Sequence, residues 1–82
     1  MPVFDTLDGI IISVFSREHL PPHCHAQYAE HEALIAIRTC EVIAGRLPTK
    51  SLKKVIAFVE REENQLDLLE TFYRLNPHIK RI

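Results

Sequence analysis

The hydrophobic period of this chain changes once, around Gly45-Arg-Leu-Pro48, and that change limits the folds open to it. Before it, apolar and β-branched residues come in short runs that suit strands. After it, they recur every three or four residues, as along one face of a helix. Strands followed by a helical segment imply an α+β domain, a sheet with helix packed on one face.

Gly9 precedes Ile10-Ile-Ile-Ser-Val-Phe-Ser16, which reads as a first strand. Residues 17–22 form a loop ending on Pro21 and Pro22. Residues 23–28 make a second strand, and Glu30-His31 a tight connection that lacks the Asn-Gly or Asp-Gly of a strong hairpin signal. Residues 32–37 are a third strand, Arg38-Thr39-Cys40 a turn, and residues 41–44 a fourth strand that Gly45 ends. The expected sheet is an antiparallel meander of three to four strands.

In the second half Leu52, Val55, Ile56, Val59, Leu66, Leu69 and Tyr73 fall on one helical stripe, broadened by Leu68 and Phe72 and read as core. Thr49, after Pro48, is the expected N-cap. Lys50, Lys53 and Lys54 sit near that start, where the helix dipole disfavours positive charge. Asn76, restricted by Pro77, ends the helix. The stripe skips Glu62 and Glu63, which places a kink or a split of this long C-terminal helix near Asn64. A single domain over residues 1–82 is expected: a β-meander with a histidine-rich loop (1–45), an amphipathic helical part (46–76) and a tail (77–82).

Eighty-two residues are near the lower limit for one self-sufficient core. A composition 46% hydrophobic and 26% charged is ordinary for a water-soluble globular domain. The longest apolar runs, the five residues 33–37 and 55–59, are far too short to span a membrane, and no signal-peptide pattern opens the chain. Reduced Cys24 and Cys40 and a cytoplasmic location are therefore expected. The net charge of −1 divides into −4 over residues 1–45 and +3 over residues 46–82. Arg46, Lys50, Lys53 and Lys54 form a compact basic group, a candidate partner or nucleic-acid surface. No aromatic residues are interleaved with it, and a solvated helix face explains such charges as well.

The chemistry concentrates in His19-Leu-Pro-Pro-His-Cys-His25, which holds three of the five histidines. The prolines stiffen the approach to His23. On a strand His23 and His25 point to one face, since side chains alternate. Two imidazoles on one face suit a metal site completed by His19, His31, Glu32 or Cys24, with zinc or nickel as the ion, although Cys24 would point the other way. They also suit an acid–base pair, as in a metal-independent ribonuclease, with Arg17 or Arg38 holding a phosphate. A purely structural role is the third reading. Tyr28 and Glu32 flank the presumed turn, where they could complete a pocket beside the histidines or pack across strands.

His19-x-Pro-Pro-His-x-His25, Tyr28-x-Glu30, Glu32-Ala33 and Gly45-x-Leu-Pro48 ahead of an amphipathic helix resemble DUF4160, a small prokaryotic domain of unknown function. The resemblance implies a cytoplasmic bacterial protein, more a binding module than an enzyme. It also implies action with a small protein partner encoded by an adjacent gene, in a toxin–antitoxin-like or regulatory pair. It makes His19, Pro21, Pro22, His23, His25, Tyr28 and Glu32 the binding-pocket candidates, and the helix the partner-contact candidate. Self-association of the acidic and basic halves is a further expectation. The chain departs from the family at Cys24, where phenylalanine is common, at Ala29, where glycine is, and at Phe58, where tryptophan often stands.

Overall fold

Residues 3–80 are described by a computed structural model. Five strands, β1 (Val3–Leu7), β2 (Ile10–Ser13), β3 (His23–Tyr28), β4 (His31–Ala36) and β5 (Val42–Arg46), precede two helices, α1 (Thr49–Glu60) and α2 (Glu62–Leu75). The strands form one antiparallel sheet in chain order. The architecture is α+β, as expected, but the sheet has five strands rather than three to four. The unforeseen strand is β1. Its sequence, Val-Phe-Asp-Thr-Leu, is largely exposed at the sheet edge, and its register shifts between Val3 and Asp5, so it carries no apolar alternation to read.

The β3–β4 turn falls on Ala29-Glu30, one residue before the expected position, with Ala29 in the left-handed region (φ 53°). Strand β5 runs through Gly45 instead of ending there. Gly45 has φ 73°, and a Cβ on it would run into the Glu32 carbonyl oxygen, so only glycine fits this close approach of β5 to β4.

The long helix is two helices of 12 and 14 residues. The break falls at Arg61, which is extended (φ −65°, ψ 129°), three residues ahead of Asn64. Asn64 takes part in it: Nδ2 donates to the Phe58 carbonyl at 2.9 Å, near the end of α1. Glu62 and Glu63, the residues that interrupt the stripe, are the first turn of α2, where carboxylates suit the dipole. Thr49 is not the N-cap of α1; Pro48 holds that position and no side chain caps the helix.

One sheet face, carrying Ile10, Ile12, Val14, Cys24, Ala26, Ala33, Ile35 and Ile37, forms the core with Val55, Val59, Leu68, Leu69, Phe72 and Tyr73 of the helices. Leu66 is not part of it and is 59% exposed. The break at Arg61 resets the rotation of α2, so the stripe does not continue unchanged across it. On the opposite face Ile11, Gln27 and Glu32 are exposed. Both cysteines are free thiols. Among the described residues no helix is long and apolar enough to cross a membrane.

Candidate functional site

Strand β3 places His23 and His25 on the face opposite Cys24 and Ala26. Antiparallel pairing sets Gln27 opposite Glu32, and the Glu32 carboxylate returns along the same face to His25, with Oε2 3.2 Å from Nδ1. The second carboxylate is Glu18, from the connection between β2 and β3. Its backbone is held from the far end of the chain: the Glu18 N–H donates to Asn76 Oδ1 at 2.7 Å, and His78 Nε2 donates to the Glu18 carbonyl at 3.2 Å. Asn76 is fully buried and also donates to the carbonyls of Phe15 (2.9 Å) and Phe72 (2.8 Å). So fixed, Glu18 sets Oε1 3.0 Å from His25 Nε2 and Oε2 3.3 Å from His23 Nε2.

The protons on these rings follow from their partners. His23 Nδ1 lies 2.8 Å from the Pro21 carbonyl, which can only accept, so Nδ1 carries the hydrogen. A neutral His23 then has a lone pair at Nε2. That atom is buried with no hydrogen-bond partner among the described residues, because its approach to Glu18 lacks hydrogen-bond geometry. His25 stands between two carboxylates, with Nε2 hydrogen-bonded to Glu18 Oε1 at 3.0 Å and Nδ1 to Glu32 Oε2 at 3.2 Å, and a neutral ring can donate to only one of them. An unpartnered buried imidazole nitrogen, a second imidazole and two carboxylates thus converge, and added positive charge, as extra protons or a metal ion, would satisfy the whole set.

One donor atom from each of Glu18, His23 and His25 lies within 4.8 Å of the others. At a tetrahedral ion with bonds of about 2.0–2.1 Å, donor atoms are about 3.3 Å apart. The 3.0 and 3.3 Å separations run to the two different Glu18 oxygens, and one donor atom from each residue lies within 4.8 Å of the others, so the group must draw together around an ion. Each ring also has the outer support typical of a ligating histidine, one Nδ1 on a backbone carbonyl and the other on a carboxylate. The Phe15 ring meets His25 edge-on at 4.5 Å, and Phe72 lies 5.7 Å from His23, so the cluster has apolar walls. Access is from the Glu18 and His25 side (19% and 17% exposed), since His23 is only 2% exposed.

The other candidates divide. The exposed His19 ring lies 6.1 Å from His23. Pro21 orients His23, and the Pro22 carbonyl accepts from Ile37 N–H at 2.9 Å, tying the loop to the end of β4. Tyr28 is on the other face, paired with His31 across the turn, so it does not adjoin the histidines. Cys24 faces away, which keeps it out of this cluster, and burial pushes its thiol up to about 12. His31 lines a cavity of about 360 Å³ with Arg46, Leu47, Pro48 and Thr49. In the basic group Lys54 pairs with Asp8 at 3.0 Å, Arg46 lines that cavity, and Lys50 and Lys53 are exposed on α1. Arg17 is exposed with φ 60°, and Arg38 donates to the Tyr73 hydroxyl at 3.4 Å. Sequence reasoning missed Glu18, Asn76 and His78. An acid directly before His19 was the available signal for the first; nothing local marks the other two.

The fold and this cluster define a class: a two-layer α+β domain with a histidine–carboxylate centre between β3 and the loop that precedes it. The chain belongs to the DUF4160 family, a domain of unknown function, whose model matches residues 9–72. The matched stretch contains Glu18, His19, His23, His25 and Glu32 and leaves β1 and Asn76 outside. No curated protein and no solved structure matches the chain.

Proposed function

We propose that this domain binds one divalent transition-metal ion, zinc or nickel, through Glu18, His23 and His25, and that the ion fixes the β2–β3 connection against the sheet. The observation that carries this reading is the orphaned, buried Nε2 of His23, 3.3 Å from Glu18 and grouped with His25, whose Nε2 meets the same carboxylate at 3.0 Å. Imidazole with carboxylate is a donor set that zinc and nickel accept. The acid–base reading gains no support from this geometry, because His23 is buried and both nitrogens of His25 face carboxylates. The test is metal content by mass spectrometry on untagged protein, with thermal melts with and without chelator. About one ion per chain and a lower melting temperature with chelator are expected; an excess of ligand at 100 times its Kd stabilises by about 2.7 kcal/mol. Folded protein that takes up neither ion, and melts the same with chelator, overturns the reading.

A small protein partner from an adjacent gene is the second reading. The exposed Val42 and Ile43 on edge strand β5 favour it, since such an edge accepts an added strand. Co-purification of the pair, lost in Ile43→Lys, is the expected result; two separate species on gel filtration would refute it.

A further inference from the structure

We propose that His19 is a fourth protein ligand to the same ion, so that the centre is closed and structural instead of leaving a position open for a substrate. The inference rests on the metal reading above. With metal–nitrogen bonds of about 2.0–2.1 Å, two imidazoles on one tetrahedral ion have ring centroids about 5 Å apart. His23 and His25 stand at 5.5 Å, and His19 and His23 at 6.1 Å. His19 is not among the residues whose donor atoms already lie within 4.8 Å of one another, so its ring must move to enter the coordination shell.

The His19 side chain is exposed, and no hydrogen bond holds it among the described residues. Its neighbour Glu18 is anchored on both sides of its backbone by Asn76 and His78, so the loop is held and the His19 side-chain torsions supply the movement. The ion then cross-links the connection, through Glu18 and His19, to strand β3, through His23 and His25. Because Asn76 ties the same loop to the end of α2, the ion also fixes the sheet to that helix. Three protein ligands and a water are the pattern of catalytic zinc, and four protein ligands that of structural zinc. The domain's metal is of the second kind, and its contribution is to shape.

Cobalt(II) distinguishes the cases, because its visible bands report coordination number. The wild-type chain is expected to bind cobalt with intense four-coordinate bands that azide leaves unchanged. His19→Ala is expected to bind cobalt about 10–100-fold more weakly, at least the cost of losing an outer-shell partner, with bands that now shift on adding azide. His31→Ala, an exposed histidine away from the cluster, is expected to match wild type. Azide-sensitive bands in wild type, or unchanged affinity in His19→Ala, overturn the role of His19 while the three-ligand site stands. Absence of cobalt binding by folded wild-type protein overturns both.

Discussion

Replacing Asn76 by alanine tests whether the end of α2 holds the loop that presents Glu18. The side chain is fully buried and makes three hydrogen bonds: it accepts from Glu18 N–H and donates to the carbonyls of Phe15 and Phe72. Truncation leaves the Glu18 donor and the Phe15 carbonyl, 58 and 61 residues away in sequence, without this partner. At about 0.5–1.5 kcal/mol net for each bond, the loss is about 2–4 kcal/mol. For a domain of this size each kcal/mol lowers the melting temperature by about 4–8 °C, so a fall of at least about 8 °C is expected. Urea unfolding measures the same quantity through the midpoint at unchanged m-value. Asn76→Asp separates shape from hydrogen bonding: it keeps the volume and the acceptor for Glu18, but turns a second oxygen toward two carbonyls. It is expected to be at least as damaging as alanine. A loss below about 1 kcal/mol for alanine, or an Asn76→Asp variant as stable as wild type, would refute the clamp.

The Cys24 thiol, pushed up by burial to about 12 from 9.0, stays protonated in the fold where the unfolded chain ionises. The folded state therefore binds more protons above pH 9, and stability falls as pH rises, by about 1.4 kcal/mol per unit, over that window. Urea melts from pH 8 to 10.5 should show this slope and Cys24→Ala should reduce it, the smaller remainder coming from Cys40, which burial also raises. Ala29 holds a left-handed turn position, and Ala29→Gly should stabilise by about 0.5–1 kcal/mol; a loss of stability would contradict the strain argument. Leu68→Ala should cost about 2–5 kcal/mol, while Leu66→Lys should stay within about 0.5 kcal/mol, since Leu68 is buried and Leu66 is 59% exposed. Equal losses at the two positions would mean that α2 is rotated from the packing described.

Much of the architecture is legible in the residues, because regular elements convert spacing into direction. Period two put His23 and His25 on one face and Cys24 on the other, and the skipped pair Glu62-Glu63 marked a break that lies at Arg61. Strand β1 escaped, since an exposed edge strand with a shifted register buries too little to leave a pattern. Leu66 was misread as core because a stripe drawn through the break assumes one continuous helix.

The sequence by itself determined the α+β order, the shared face of the two histidines, the end of the helical part at Asn76-Pro77 and the family. Only the tertiary structure decided that Glu18 meets those histidines, that Asn76 holds Glu18 from 58 residues away, and that Tyr28 and His31 stand apart from the cluster. The physical reason is that periodicity fixes side-chain direction only within a strand or helix. Where a loop carboxylate points, and which distant amide receives it, depends on how the two layers close on each other.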